Sequence, residues 1–259
     1  MKELINNLYD YRQLLKSNVQ KEIRGKYKGS FLGVLWSFIN PLLLTLVYAI
    51  VFSVIMKSTE ENFVTFLIVA ILPWNYFTTV ITQGTSSILM NAGIIKKIYF
   101  PREILPVSAN TSGLINFLIS CPIILVFLLL SGIGISWHIV FFPIILIIQY
   151  ILQQAIVLIT SAIQIYIRDF EYIITFILNL LFYATPILYS SNAFDNSWFG
   201  SVIKLNPMAA IINSYSDIFY YQSMPRFKSL LVVFLISCAL MYIGLKVFKK
   251  LEKGFAEEV

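Results

Sequence analysis

Charge is what this sequence has least of. Of 259 residues only 12% are Asp, Glu, Lys or Arg, while 58% are hydrophobic; soluble domains carry about 25% and about 45–50%. With mean hydropathy at +0.80, too little polar material exists to cover a water-facing surface. That excludes a water-soluble monomer and a disordered chain. Histidine occurs once and cysteine twice, as His138, Cys121 and Cys238. Such a set furnishes neither a disulfide framework nor a His/Cys metal cluster, so a secreted scaffold and a zinc protein are excluded. Both cysteines lie in apolar runs and read as small core residues. No GxxxxGK[ST] phosphate loop occurs; Gly25-Lys26-Tyr27-Lys28-Gly29-Ser30 comes near it with the wrong spacing. His138 alone supports no Ser/His/acid set, and no carboxylate pair on a span could run glycosyl transfer. The chain therefore reads as a non-enzyme without a cofactor of its own. Energy for uphill movement would enter from outside it.

Long apolar runs are what the sequence has instead. A helix needs roughly 20 apolar residues to cross the hydrocarbon. Phe31 to Met56 is charge-free for 26 residues and Asn62 to Ile95 is a second such stretch. Ile104 to Ile167 runs 64 residues without a charge and is cut by Ser131-Gly132-Ile133-Gly134, giving two helices and a tight hairpin. Spans are expected over residues 31–56, 63–90, 107–131, 137–165, 172–192 and 228–248. The expectation is an all-α integral membrane protein with six transmembrane helices, an N-terminal amphipathic interfacial helix and a re-entrant hairpin before the last span.

The few charges orient it. Six spans place both termini on one side, with Lys2, Arg12, Lys16, Lys21, Arg24, Lys26, Lys28, Lys96, Lys97, Arg102, Arg168, Lys246, Lys249, Lys250 and Lys253. The other side keeps Lys57, Lys204, Arg226 and Lys228, so 15 of 19 basic residues lie with the termini. That bias makes both termini cytoplasmic. No basic run is interleaved with aromatics as a single-strand binder needs, so nucleic acid is not an expected partner.

Three segments lie outside the spans. In residues 1–28, Leu4, Leu8, Tyr11, Leu15 and Val19 recur at steps of three or four opposite a polar face, the pattern of an interfacial helix. A passive anchor and a gate at a substrate entrance both fit it. Residues 93–106 carry Pro101 and Pro106 around a short helical piece rich in charge and aromatics, which fits a docking knob or a plain loop; Arg168-Asp169-Phe170-Glu171 offers a second contact or mere helix caps. Residues 194–227 hold apolar pieces too short to cross, broken at Asn206-Pro207, which suits a re-entrant hairpin. No charge lies well inside a span, which speaks against ion coupling. Neutral groups such as Asn40, Tyr48, Asn75, Thr78, Asn110, Gln149, Gln154 and Tyr183 either bond helix to helix or line a glycan path.

Six motifs in order then carry a resemblance over essentially the whole chain: Lys28-Gly29-Ser30-Phe31-Leu32-Gly33-Val34-Leu35-Trp36, Asn40-Pro41-Leu42-Leu43, Lys97-Ile98-Tyr99-Phe100-Pro101-Arg102-Glu103, Arg168-Asp169-Phe170, Thr185-Pro186-Ile187-Leu188-Tyr189 and Asn206-Pro207-Met208. The series resembles the permease subunits of ABC transporters that export polysaccharides, of the O-antigen, capsule and teichoic-acid types. The resemblance implies a homodimer in the bacterial inner membrane, paired with two copies of an ATP-hydrolysing subunit that binds ATP and Mg, and a lipid-linked glycan as substrate. It assigns Lys96, Lys97, Phe100, Pro101, Arg102 and Glu103 to a coupling helix docking on the ATPase, and Arg168, Asp169 and Phe170 to a second contact. Gate and path candidates are Tyr11, Lys28, Trp36, Tyr48, Asn75, Tyr183, Tyr189, Asn206 and Pro207. The alternatives are an ABC exporter of drugs or small lipids and a secondary transporter.

Overall fold

A computed structural model describes residues 2–29, 31–51, 61–190 and 197–258. Every regular element among them is helical. Four helices are long and apolar enough to cross a membrane: α4 (Phe63–Met90), α6 (Ile104–Leu130), α7 (Phe142–Tyr166) and α11 (Phe227–Leu251). The shorter helices are α1 (Lys2–Asp10), α2 (Arg12–Tyr27), α3 (Trp36–Ala49), α5 (Ala92–Ile95), α8 (Phe170–Tyr183), α9 (Trp198–Leu205), α10 (Pro207–Phe219) and α12 (Phe255–Glu258).

Helix α4 is the central post, with α3, α6, α7, α8 and α10 packed around it. Small residues bring the backbones close, as is usual where lipid gives no hydrophobic drive. A Cβ on Gly113 of α6 would lie 2.3 Å from Val80 Cγ2, and one on Gly84 would lie 2.4 Å from Val157 Cγ1 of α7. Gly244 of α11 approaches the Ala155 carbonyl in the same way. Polar side chains add directional bonds. Asn110 donates to the Tyr150 carbonyl and the Gln154 side chain, both at 3.1 Å, and accepts from Tyr76 at 3.2 Å. Gln149 donates to the carbonyl of Pro73, within α4, and accepts from Tyr215 of α10. Asn110, Gln149 and Gln154 thus tie helix to helix.

Several boundaries differ from the sequence expectation. The interfacial helix is two helices, α1 and α2, broken at Tyr11. Helix α2 packs along α6, burying Val19, and its Glu22 accepts a hydrogen bond from Ser112. Pro106 does not close a separate coupling helix. It sits in the first turn of α6, where its missing N–H costs no intrahelical bond, so α6 begins at Ile104. The short helical turn lies earlier, at α5, and residues 96–101 are turn and irregular chain. Helix α8 stops at Tyr183 because Thr185-Pro186 follows, and the residue before a proline is driven out of the α region; the expected span to 192 is not continuous helix, and residues 191–192 lie outside the described ones. Residues 52–56 of the first expected span are also outside them; its described part is helical from a 3-10 turn at Gly33–Leu35 through the 14-residue α3 and on to residue 51. The 63–90 span coincides with α4. The hairpin at 131–134 forms as expected, with Gly132 and Gly134 at φ +76 and +79.

The expected hairpin region resolves into α9 and α10, neither long enough to cross. Asn206 joins them. Its side chain caps α10 by accepting from the Met208 N–H at 2.9 Å, with Pro207 at the first helical position. Its amide also donates to Ala184 O and Thr185 Oγ1, tying the pair to the turn after α8. Large apolar residues stay exposed on α3, α8 and α11, among them Leu46, Val47, Phe176, Leu180, Leu231 and Leu235. Faces of that kind need lipid or protein over them.

Candidate functional site

Two places gather the expected site residues. The first is the segment between α4 and α6. Lys96, Lys97, Ile98 and Tyr99 point outward, Tyr99 being 89% exposed, whereas Phe100 turns in and is 4% exposed. Phe100 packs into a cluster with Leu4, Ile88, Ile104, Phe248 and Phe255. Glu103 is buried and accepts from Asn7 Nδ2 of α1 at 2.8 Å. Arg102 donates from Nη1 to the Glu252 carbonyl at 2.7 Å and lies 5.9 Å over the Phe255 ring. The outward face available to a partner is therefore Lys96 to Tyr99, while Phe100, Arg102 and Glu103 fasten the segment to the rest of the molecule.

The C-terminal tail carries that fastening across to the second expected contact. Phe255 meets Phe248 edge-on at 5.4 Å and lies tilted against Tyr166 at 6.4 Å, and Tyr166 donates to the Leu251 carbonyl at 2.8 Å. Tyr166 ends α7, directly before exposed Arg168 and Asp169 and half-buried Phe170. Gln164 holds that turn through the Arg168 carbonyl at 2.8 Å. Sequence reasoning missed Asn7, Glu252 and Phe255. The one signal for them was a lone aromatic in the polar tail Glu252-Lys253-Gly254-Phe255-Ala256-Glu257-Glu258. Tyr11 lines a cavity of about 600 Å³ with Asn7, Tyr99, Arg102, Glu103 and Glu252, so it sits with this cluster.

The second place flanks α3. One groove of about 260 Å³ is lined by Trp36, Asn40, Asn75, Tyr76, Asn116 and Ser120, among others. The other, about 300 Å³, is lined by Tyr48, Trp74, Asn75, Thr78, Asn179 and Tyr183. Asn75 serves both. Tyr48 stacks on Phe182 at 5.6 Å, and Phe182 meets Tyr183 edge-on at 5.3 Å. Neither groove has Asp, Glu, Lys, Arg or His in its described lining. Rings, amides and hydroxyls without charge can stack on and hydrogen-bond to a neutral polyhydroxylated ligand. The structure thus brings together Trp36, Tyr48, Asn75 and Tyr183. It leaves out Lys28, exposed at the end of α2, and Tyr189, whose hydroxyl donates to the Tyr183 carbonyl at 2.9 Å. Asn206 and Pro207 line a different cavity, beside α11.

A further cavity of about 340 Å³ lies where α2 meets α4 and α6, lined by Asn18, Lys21, Glu22, Gln83, Ser87 and Asn91 among others. Burial pushes the Glu22 carboxyl up, while the Ser112 hydroxyl and the Lys21 charge act the other way. Lys21 donates to Asn91 at 3.1 Å. Among the described residues no group of three or more His, Cys, Asp or Glu could hold a metal ion.

Residues 13–220 match the family model described as ABC-2 type transporter. The chain is 38% identical over 260 residues to the O-antigen export system permease protein RfbA of Myxococcus xanthus, covering 100% of both chains. A protein of the same description from Klebsiella pneumoniae is 34% identical over 259 residues, covering 99% of this chain and 98% of its own. With the four long apolar helices, these matches make the protein a multi-pass membrane protein that belongs to the ABC-2 type transporter family.

Proposed function

We propose that the chain is the permease subunit of an ATP-driven exporter of O-antigen-type, lipid-linked polysaccharide. The observation that carries the glycan part is the pair of charge-free, amide- and ring-lined grooves on either side of α3. The names of its full-length relatives support the same reading. The chain works as a homodimer with two separate ATP-binding subunits, which bind ATP and Mg. It sits in the bacterial inner membrane with both termini cytoplasmic, in line with the distribution of its Lys and Arg. Helices α3 and α8, with their flanks, complete six crossings, and α9–α10 re-enters from the outer side. Lys96 to Tyr99 meets the ATP-binding subunit, with Arg168 and Asp169 as the second contact. ATP binding displaces that segment and, through Glu103 and Asn7, the N-terminal helices.

The test is ATP hydrolysis by the purified pair. Lipid-linked glycan should stimulate it severalfold, and Lys96→Glu/Lys97→Glu should abolish the stimulation while the permease still purifies as a dimer. Stimulation by small amphiphiles and not by glycan would reassign the protein to drug or small-lipid export. Activity in the absence of any ATP-binding subunit, driven by an ion gradient, would make it a secondary transporter.

A further inference from the structure

Under the orientation proposed above, the outer side holds four basic residues, Lys57, Lys204, Arg226 and Lys228. Three of the four meet at one cavity. Lys204 lies in the last turn of α9, Arg226 caps α11, and Lys228 is in the first turn of α11. All three line a cavity of about 340 Å³ between α9–α10 and α11, and its described lining has no acidic residue. The wall beneath is apolar, with Val232, Val233 and Ile236 of α11. That wall continues onto open apolar surface, since Val232 is 55% exposed and Ile236 is 40% exposed.

Folding alone does not call for this arrangement. A bias against Lys and Arg on the translocated side works against each of the three. Cations at the start of α11 also oppose its macrodipole, which favours negative charge there. Asp217 of α10 lies 3.5 Å from the Arg226 guanidinium. Cations gathered above an apolar wall have the layout of a site for an amphiphile with an anionic head. Ammonium and guanidinium groups bond phosphate oxygens by charge-assisted hydrogen bonds.

We propose that this cavity binds the phosphate of a lipid headgroup in the outer leaflet, with the hydrocarbon chain along Val232 and Ile236. Two lipids present that chemistry: a resident anionic phospholipid, and the diphosphate of the substrate's own carrier after crossing. The second source rests on the export reading; the first does not.

The experiment counts lipid retained by the full-length chain in native mass spectrometry. The chain is taken from phosphatidylcholine nanodiscs doped with either phosphatidylglycerol or a polyprenyl diphosphate. Lys204→Gln/Lys228→Gln leaves the Arg226–Asp217 pair in place. It should lower retention of at least one of the two lipids by about thirtyfold, the scale for two cations near a headgroup. Lys204→Arg/Lys228→Arg should retain it, and the charge-matched Lys96→Gln/Lys97→Gln should leave it unchanged. Loss confined to phosphatidylglycerol assigns the site to a resident lipid, and loss of polyprenyl diphosphate, alone or with it, to the carrier. Equal retention of both lipids by wild type and the Gln double variant overturns the proposal, as does an equal loss in the Lys96/Lys97 control. Retention depends neither on orientation nor on ATP hydrolysis. Failure of the site therefore leaves export standing, and absence of glycan-stimulated hydrolysis leaves the site standing.

Discussion

Asp217 shows how one residue sets a pH dependence. Its side chain is 8% exposed, and burial pushes its carboxyl from 3.8 up to about 6 despite the opposing pull of Arg226. A raised folded-state value means that the charged form is the costly one in the fold. Above about pH 6 the folded protein bears that cost in full. As pH falls from about 6 towards 4, the folded state takes up a proton that the unfolded state does not, and the cost disappears. Acidification through that window should therefore stabilise the protein by roughly 2–3 kcal/mol, each pH unit between the two values being worth about 1.4 kcal/mol. Asp217→Asn should flatten this part of the profile. Thermal unfolding in detergent across the window checks it, and a flat wild-type curve would remove Asp217 as the source. Legibility at this scale was uneven. Asn75, Trp36, Tyr48 and Tyr183 stood out because amides and rings are conspicuous in apolar runs. Asn7 and Glu252 did not, because their meaning comes from partners at Glu103 and Arg102, far along the chain.

Among the elements, the contact between α4 and α7 depends on a missing side chain. A Cβ on Gly84 would fall 2.4 Å from Val157 Cγ1 and 3.2 Å from Val157 Cβ, and a β-branched valine has little room to turn away. Gly84→Ala should cost about 1–3 kcal/mol by overpacking. Val157→Ala in the same chain should recover most of it, although alone it destabilises. A double-mutant cycle on detergent melting would give a coupling well above zero; additive effects would mean that the helices shift apart freely. Long, uniformly apolar helices such as α4 were legible end to end because nothing in them competes with the helix. Short ones were not. Pro106 signals a boundary, but only packing decides that it opens α6. Phe100 is apolar, and its burial in the cluster with Leu4 and Phe248 fastens the 96–101 segment, which is not helical.

For the whole molecule, the composition carried the membrane class and the charge distribution suggested the orientation, yet neither could show where the N-terminal helices go. An amphipathic stripe says that one face is apolar, not whether it meets lipid or another helix. In the structure α1 is hydrogen-bonded to Glu103 and α2 to Ser112, part-way along α6. The N-terminal unit is thus held at the docking segment by one end and against a long apolar helix by the other. Under the proposed mechanism, displacement of residues 96–103 has to move α1 and, through it, α2 along or away from α6. A lock between α2 and α6 should then separate ATP binding from transport. In a chain with Cys121 and Cys238 replaced by alanine, Glu22→Cys and Ser112→Cys joined by a short bis-methanethiosulfonate linker should hold glycan-stimulated ATP hydrolysis at its basal level. Reduction of the linker should restore it, and each single-cysteine variant should respond to glycan like its parent. Undiminished stimulation in the linked protein would make α2 a fixed strut, and the moving part would then have to be sought where α3 packs on α4.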